Sequence, residues 1–265
     1  MKTKDQEQKL YESVIKFYST PASIEYYSRK LDEDVLFPPE EAMIRRYMRL
    51  PADVLDIGCG TGRITFYLYR LGFRVKGTDI TPALVEAGNS YAKKRGIPAL
   101  LKTCNGRDLP YPDSTFDHVL LVSQMIHCVP LKKNRVALLK EAERVCGKQG
   151  KIIITYHDID ILRKEKPWDP DFHYNPDMIG KMTESFDILE SGDGFDDNCQ
   201  GKPVDQPGYG HNFTQKEMED TVKKAGLVIT DRDSFRTVAG GEPDSFWSAT
   251  QILVISKNGH NRGNQ

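Results

Sequence analysis

VLDIGCGTGR, residues 54–63, is an apolar run that stops at an acid and then places three glycines within five residues. The glycines stand at positions 58, 60 and 62. A dinucleotide-binding fingerprint needs its third glycine where this chain has Arg63, and a phosphate-binding P-loop needs a Lys and a Ser or Thr after its last glycine. Neither motif fits. What remains is a sharp turn from a strand into a helix, with room for a ligand close to the backbone.

Two acids near this turn indicate the charge of that ligand. Asp56 lies two residues before the first glycine, where a carboxylate disfavours a phosphate and favours a cation or an ammonium group. Asp79 ends the next apolar run, and an acid that ends the second strand of an open parallel sheet typically accepts hydrogen bonds from ribose hydroxyls. A glycine loop with these two acids predicts a positively charged nucleoside. S-adenosylmethionine combines adenosine with an ammonium and a sulfonium group.

Short β-branched runs alternate with helical patterns over residues 53–156. The runs are VLDI (54–57), FRVKGTD (73–79), ALLKTC (99–104), FDHVLLV (116–122) and KIIITY (151–156). Strands separated by helices are typical of βαβ units with a parallel sheet. A helix in FTQKEMEDTVKKAG and two strand candidates, LVITDRDSF and SATQILVIS, follow later in the chain. The pattern predicts an α/β fold with a Rossmann-like, doubly wound and mostly parallel sheet of seven strands.

We expect the 265 residues to form one domain with four parts. Residues 1–48 are predicted to form a cap of two helices joined at Pro38-Pro39, and residues 49–156 to form the ligand-binding core. Residues 157–212 break the alternating pattern and are rich in Asp, Pro, Gly and aromatic residues. They predict an insert after the fifth strand, and residues 213–257 add the last helix and strands.

Composition limits the class of protein. The chain has 37 basic and 38 acidic residues, and this near balance argues against a protein whose main task is to neutralise nucleic acid. The first residues lack an apolar export signal, and no run approaches the roughly 18 apolar residues of a membrane span. Five scattered cysteines without a C-x-x-C pair favour reduced thiols. We therefore expect a cytoplasmic protein without membrane contact, and the irregular separations of His157, His173 and His211 predict no metal site.

Three segments together resemble the class I S-adenosylmethionine-dependent methyltransferases in their order and spacing: VLDIGCGTGR, VKGTDITPALVEAG and CNGRDLPYPDSTFDHVL. The resemblance is strong over residues 50–156 and looser from HNFTQKEMEDTVKKAGL to the last strand. It does not reach the N-terminal helices or the insert. It implies an enzyme with a Rossmann-like fold that uses S-adenosyl-L-methionine as its cofactor.

The resemblance also implies a role for each matching residue. The three glycines would line the amino-acid half of the cofactor, and Asp56 would organise their loop or meet the ammonium group. Asp79 would bind the ribose, with Ile80 against the adenine. Asn105 stands where the family usually has an acid, so its neutral amide oxygen would contact the adenine amino group with weaker charge assistance. The predicted cofactor residues are Tyr27, Asp56, Gly58, Gly60, Gly62, Asp79, Ile80, Asn105, Gly106 and Ser123.

Methyl transfer from a sulfonium is an in-line displacement that needs no nucleophilic residue. Holding the acceptor in line at attack distance therefore supplies much of the acceleration. A general base matters only for an acceptor that carries a proton at neutral pH. His127, in the loop after the fourth strand, is the candidate catalytic base or acceptor contact, and the alternative is a histidine that only packs there.

The insert and the ends of the last core strands supply the candidate acceptor-binding residues. The aromatic rings of the insert lie among carboxylates, a combination that could form a cage for a cationic or amine substrate. The alternative is a surface lid whose aromatic residues form a small core of their own. Tyr27 in the cap has a similar pair of interpretations, a lid over the cofactor or a ring packed on the sheet. The predicted acceptor residues are Tyr156, His157, Trp168, Tyr209 and His211.

The combined pattern predicts transfer of a methyl group from S-adenosylmethionine to a small molecule held by the insert and the cap, since an enclosed pocket suits a metabolite. Two alternatives stay open. Lys93-Lys94-Arg95 and Lys132-Lys133 would serve an RNA or protein methyltransferase, although such groups more often form a solvated helix face. The other alternative is a module that binds the cofactor without transferring anything. The methylated atom and the oligomeric state do not follow from the sequence.

Overall fold

The computed structural model describes residues 2–33, 36–165, 186–199, 202–240 and 248–257. At its centre is a seven-stranded sheet in the order β3-β2-β1-β4-β5-β9-β8. The strands of this sheet are β1 Asp53–Ile57, β2 Arg74–Asp79, β3 Leu101–Thr103, β4 Phe116–Leu121, β5 Cys146–His157, β8 Leu227–Ser234 and β9 Thr250–Lys257.

The direction of the strands confirms the predicted α/β fold. Neighbouring strands from β3 to β5 pair in parallel, and β9 lies antiparallel between β5 and β8. The strand order reverses between β1 and β4, because the chain runs from β1 outward to β3 and then returns to β4 on the other side. Such a reversal opens a crevice at the carboxyl ends of the central strands, where ligands of doubly wound proteins bind.

Helices cover both faces of the sheet. On β1, Val54 packs in the same buried cluster as Phe66 of the following helix, whereas Leu55 packs with Leu138 on the opposite face. Successive strand residues point to opposite faces, so this alternation requires cover on both sides. None of the helices that the structure describes is long and apolar enough to cross a membrane. The helices are α1 Lys2–Tyr18, α2 Pro21–Asp32, α3 Pro38–Tyr47, α4 Arg63–Arg70, α5 Pro82–Lys94, α6 Lys132–Val145, α7 Ile159–Glu165, α8 Gln215–Lys224 and α9 Phe235–Val238, with a short 3-10 helix at Met125–Cys128.

The N-terminal cap has three helices, so the predicted two helices joined at Pro38-Pro39 are corrected. The additional break lies at Thr20, whose side chain accepts a hydrogen bond from the Ser23 backbone N–H at 3.3 Å. Pro21 follows at the first helical position, where a proline starts a helix without losing a needed N–H donor. The capping residue Thr20 and the proline at position 21 therefore separate α1 from α2.

The insert after β5 contributes a hairpin that packs against the cap. Its strands are β6 Asp193–Cys199 and β7 Lys202–His211, which pair antiparallel. Phe195 and Tyr209 of the hairpin share a buried cluster with Val14 of α1. A Cβ atom at Gly208 would lie 2.6 Å from the Phe17 ring, so α1 approaches the hairpin backbone closely. The cap and the hairpin therefore pack against each other through α1.

Gly88 gives a test of how tightly α5 packs under the glycine loop. A Cβ atom at this position would lie 2.3 Å from the Thr61 carbonyl oxygen and 2.5 Å from Leu101 Cδ1. We expect Gly88→Ala to lower the free energy of unfolding by about 1–3 kcal/mol, because the backbone of the loop has to shift. Urea unfolding measures this change. Ser90→Ala, on the exposed face of the same helix, is the control and should leave the free energy of unfolding unchanged or raise it slightly. An equal free energy of unfolding in the two variants would contradict the close packing of Gly88 against the loop.

Candidate functional site

A cavity of about 350 Å³ lies at the carboxyl ends of β1, β2, β4 and β5. Its floor is formed by those strand ends and the loops that follow them. The N-terminal helices α1 and α2 form a second wall, and the β6-β7 hairpin forms a third. The volume falls within the range of small-molecule sites, and the position is the one at which doubly wound sheets bind ligands.

The glycine loop after β1 is tied to the neighbouring strand. The backbone N–H groups of Gly58 and Cys59 donate to the Thr78 carbonyl oxygen at 2.7 and 3.0 Å. Gly60 lies in the left-handed region with φ +57°, and a Cβ atom there would meet only Leu84, at 3.9 Å. The backbone at Gly58 and Gly60 thus faces the cavity, and the free space at Gly60 admits a ligand close to the chain.

Gly62 serves the packing of the helix that follows the loop. It starts α4 with φ +89°, and a Cβ atom there would lie 2.7 Å from the Phe66 ring and 2.9 Å from Leu101 Cδ1. The residue is absent from the cavity wall. Its lack of a side chain lets α4 pack on the sheet, and a position beside the amino-acid half of the cofactor stays a prediction.

Asp79 is the anion at the base of the cavity. Its Oδ2 accepts from the Gly60 N–H and its Oδ1 from the Thr81 N–H, both at 2.8 Å. Burial raises the pKa of Asp79, and the two N–H groups oppose that rise. The Thr81 side chain also hydrogen-bonds this carboxylate. An ionised carboxylate has about four acceptor positions, so about one remains for a hydroxyl of a ligand. Ile80 follows it on the cavity wall.

Asp56 lies at the cavity wall beneath the glycine loop. The carboxylate is buried, and its Oδ2 accepts from the Thr65 hydroxyl of α4 at 2.7 Å. Burial raises the pKa of Asp56 to about 7, and the charge of Asp79 adds to this effect. A group with this pKa is ready to ionise when a cation binds near it. Asp56 therefore joins β1 to α4 and places a carboxylate at the cavity wall, where it favours positive charge.

A buried ion pair, which no local sequence pattern indicates, links the cap to the strand ends. Arg63 donates to both carboxylate oxygens of Glu40, at 2.5 and 2.7 Å. Ser123, at the end of β4, donates to the same carboxylate at 3.0 Å. Glu40 belongs to α3 and is almost fully buried, whereas Arg63 and Ser123 line the cavity. This network fixes the cap against the mouth of the cavity.

The loop after β3 places Asn105 and Gly106 on the cavity wall. The Asn105 amide oxygen accepts from the backbone N–H of Arg107 at 3.1 Å and from its Nε at 3.4 Å, so it is used within its own loop. Arg107, a further wall residue that the sequence did not indicate, donates to Asn134 Oδ1 at 2.6 Å. Its guanidinium lies 4.7 Å from the centre of the Tyr11 ring, which connects this corner of the cavity to α1.

His127 lies in the 3-10 helix with its ring in the cavity wall. Its Nε2 accepts from the backbone N–H of His157 at 3.1 Å, and the ring also hydrogen-bonds the backbone of His211. Burial and the charges of these two histidines hold the pKa of His127 well below its ordinary value, so the ring is neutral. A base needs a free lone pair, and the Nε2 lone pair is engaged. A general-base role of His127 stays a prediction, and this geometry argues against it. A role in positioning the acceptor agrees with the geometry.

The predicted acceptor residues divide into three groups. His157, Tyr209 and His211 line the cavity. Tyr156 does not, because alternation along β5 turns its side chain away from the cavity into the core, where its ring lies 6.2 Å from the Phe213 ring. Tyr156 is therefore corrected to a core residue. Trp168 lies outside the described residues.

His211 belongs to a buried cluster of charges that holds the hairpin. Its Nδ1 lies 2.6 Å from Asp193 Oδ1, and its Nε2 lies 3.0 Å from Glu217 Oε1. Arg135 of α6, fully buried, pairs with Glu190 at 2.6 Å and with Glu217 at 3.5 Å. The cluster therefore joins the hairpin to α6 and α8.

Three members of this cluster also meet the spacing of a metal site. The donor atoms of Glu190, Asp193 and His211 lie within 4.8 Å of one another. Arg135 already binds Glu190, and His211 hydrogen-bonds Asp193 directly. A guanidinium in the same cluster supplies the positive charge that a metal would bring, so ion pairs account for the arrangement.

Comparison with known proteins agrees with this geometry. Residues 55–154 match the family described as Methyltransferase domain. The chain is 31% identical over 110 residues to ajmaline N-methyltransferase of Rauvolfia serpentina, a match that covers 40% of this chain and 36% of that protein. It is 34% identical over 102 residues to demethylmenaquinone methyltransferase of Tropheryma whipplei, covering 38% of this chain and 40% of that protein. The matches thus span well under half the length of these curated relatives.

Solved structures share the fold over most of the chain. The PH0226 protein of Pyrococcus horikoshii superposes with a TM-score of 0.64 at 18% identity, covering 91% of this chain and 95% of that one. An S-adenosylmethionine-dependent methyltransferase of Clostridium acetobutylicum gives a TM-score of 0.59 at 14% identity, and the match covers 87% of this chain and 92% of that one. At these identities the likeness concerns the fold alone.

The His211 cluster predicts a pH dependence of stability. Burial acts to lower the pKa of His211, but hydrogen bonds to Asp193 and Glu217 raise it above the ordinary value of 6.5. The positive charge of Arg135 and the nearby His127 ring oppose this rise. A histidine with a raised folded-state pKa stabilises fully below its unfolded pKa, and this contribution is lost as the pH rises through the folded value. We expect the free energy of unfolding to fall as the pH rises above about 6.5.

Urea unfolding of wild type and His211→Gln across this pH range measures the effect. The variant should be less stable than wild type at pH 6.5, and its free energy of unfolding should fall less as the pH rises. His118→Gln is the control, because burial lowers the pKa of His118 and its removal should leave the decline in place. An unchanged decline in His211→Gln would contradict the assignment.

Proposed function

We propose that this chain, whose residues 55–154 match the family described as Methyltransferase domain, is a class I methyltransferase that transfers a methyl group from S-adenosylmethionine to a small molecule. S-adenosylmethionine is the cofactor of this enzyme family. The observation that carries the proposal is the shared cavity, in which the acidic glycine loop and the aromatic residues of cap and hairpin face the same space. Donor and acceptor would then meet inside one enclosed site.

The residues of the strand ends fit the chemistry of the cofactor. Asp79 has an acceptor position left for a ribose hydroxyl, and Asp56 supports the positively charged amino-acid half. Gly58 and Gly60 would let that half pass close to the backbone. We assign Ile80, Asn105 and Gly106 to the adenine, and Ser123 to the rim next to the methyl group, from their places on the cavity wall.

Helix α2 would cover the bound cofactor. The Thr61 hydroxyl of the glycine loop donates to the Tyr27 carbonyl oxygen at 3.0 Å, and the Tyr27 side chain lines the cavity. This hydrogen bond fixes the lid to the loop that holds the ligand. Water exclusion strengthens the electrostatic contacts inside the site, so the lid supports both binding and reaction.

The chemistry requires positioning more than activation by the protein. The cofactor supplies a methyl group already activated by its sulfonium. The cavity walls hold the acceptor in line and exclude water, an effect worth about 7–11 kcal/mol when complete. Cys128 is no competing nucleophile, because burial raises the pKa of its thiol to about 11 and the Tyr18 hydroxyl lies 3.3 Å from its sulfur.

A small-molecule acceptor agrees with the walls of the site. The cap and the hairpin close the side away from the sheet, and the net charge of −1 offers little attraction to nucleic acid. Two of the matched relatives are named for small acceptors, ajmaline and demethylmenaquinone. We assign the acceptor to the space between His127, His157, Tyr209 and His211.

Turnover and cofactor binding test this function. Pure protein with S-adenosylmethionine and a pooled metabolite extract should produce S-adenosylhomocysteine. Asp79→Ala should weaken binding of S-adenosylhomocysteine about 10- to 150-fold, because hydrogen bonds to a charged group contribute about 1.5–3 kcal/mol. Titration calorimetry measures the affinity.

Asp220→Ala is the matched control, since Asp220 makes an exposed i,i+4 pair with Lys216 on α8, outside the cavity wall. Its affinity should equal that of wild type. Wild-type affinity in Asp79→Ala would refute the ribose assignment. Tight cofactor binding without any turnover would instead indicate a binding module.

A further inference from the structure

The amino-acid half of S-adenosylmethionine carries an ammonium and a carboxylate, and the acids of the strand ends suit only the first of them. Asp56 lies at the end of β1 and favours the ammonium. Asp79 ends β2 and adds a second acid to the same floor of the cavity. An anion withdrawn from water is costly unless donors or an opposite charge satisfy it. The carboxylate of the ligand therefore needs a cation from another wall.

The lysine and arginine side chains of the cavity wall differ in how firmly other groups hold them. Among the described residues they are Lys30, Arg63 and Arg107. Both terminal nitrogens of Arg63 donate to the buried carboxylate of Glu40, which neutralises this guanidinium. Arg107 follows the residues assigned to the adenine and donates to Asn134 at 2.6 Å. Lys30 of the cap is therefore the candidate for the carboxylate.

The acid that pairs with Lys30 is a weak competitor for its ammonium group. Lys30 Nζ donates to Glu33 at 2.9 Å, in an i,i+3 pair at the end of α2. The Glu33 side chain is 46% exposed, against 27% for Lys30, and exposed pairs contribute little because water screens them. An ammonium group has three N–H donors, and the bond to Glu33 uses one of them. Lys30 can therefore bind an anion in the cavity without first losing its partner.

Lys30 lies near the glycine loop and the start of α4. The Thr61 hydroxyl of the loop donates to the carbonyl oxygen of Tyr27, one helical turn before Lys30 on α2. Residues three apart share a face of a helix, and the side chains of Tyr27 and Lys30 both line the cavity. The Lys30 ammonium lies 5.7 Å from the centre of the Phe37 ring, and the Arg63 guanidinium lies 4.9 Å from the same centre. Because Arg63 begins α4 directly after the loop, these contacts place the ammonium group beside the loop.

We propose that Lys30 binds the carboxylate of the amino-acid half of S-adenosylmethionine. This inference rests on the proposed function. The two charges of that half then contact different parts of the chain, the ammonium at the strand end with Asp56 and the carboxylate at the cap with Lys30. A bound donor thus bridges sheet and cap, in addition to the hydrogen bond between Thr61 and Tyr27. Nucleosides that lack the carboxylate lose this bridge and bind more weakly.

Titration calorimetry with two nucleosides tests the inference without any acceptor. The first is S-adenosylhomocysteine, and the second is its decarboxylated analogue S-adenosyl-3-thiopropylamine, which keeps the adenosine, the thioether and the amine. Lys30→Gln should weaken binding of S-adenosylhomocysteine about tenfold, because a hydrogen bond between two charged groups is lost. It should not weaken binding of the decarboxylated analogue, which offers the lysine no anion and whose amine the lysine repels.

Arg29→Gln is the matched control, because Arg29 precedes Lys30 on α2, lies 3.8 Å from the same Glu33 and does not line the cavity. It should bind both nucleosides as wild type does. Wild-type affinity for S-adenosylhomocysteine in Lys30→Gln would overturn the inference, and so would an equal loss for both nucleosides or a matching loss in Arg29→Gln. Retained binding of the analogue shows that Lys30→Gln is folded. Failure of wild-type protein to bind either nucleoside would overturn the proposed function instead, so the two failures are distinct.

Discussion

The site depends first on the half-buried carboxylate of Asp79. An anion withdrawn from water is costly unless donors satisfy it, and here the Gly60 and Thr81 N–H groups do so at 2.8 Å. Those two bonds connect the end of β2 to the glycine loop after β1 and to the start of α5. They keep the loop open toward the cavity, and they orient the carboxylate toward the space in which a ribose would lie. The fit of Gly88 under the same loop depends on this arrangement.

Closure of the cavity depends on a different set of interactions, which are ionic and long-range. Glu40 and Arg63 fix the cap to the strand ends, and Arg135 with His211 fixes the hairpin to the helices behind it. Buried pairs of this kind contribute more to a defined arrangement than to net stability, since their desolvation offsets much of the attraction. A hydrogen-bonded His127 next to them gives a rigid neutral surface. In the proposed function, the protein provides shape and charge around the acceptor, and the methyl donor provides the reactivity.

The sequence predicted the parts of the molecule that depend on local patterns. The sheet, its direction and the place of Asp79 at a strand end follow from hydrophobic runs and turn residues. The Glu40–Arg63 pair could not be predicted, because the residues lie 23 positions apart and an acid in the first turn of a helix has an ordinary local explanation. The buried position of Arg135 could not be predicted either, because the sequence shows it only as one of several basic residues on a helix. Tyr156 was misassigned because a one-residue step along β5 decides which face a side chain takes.

A crystal structure with S-adenosylhomocysteine bound is the most direct test of the central claim, that donor and acceptor share this cavity. The ribose hydroxyls should lie about 3 Å from the Asp79 carboxylate. The adenine should lie beside Ile80, and the sulfur should face the rings of the cap and hairpin. A ligand bound outside the cavity, or one reversed so that its adenine lies between Phe195 and Tyr18, would contradict the proposed function and leave the acceptor no place in line with the methyl group.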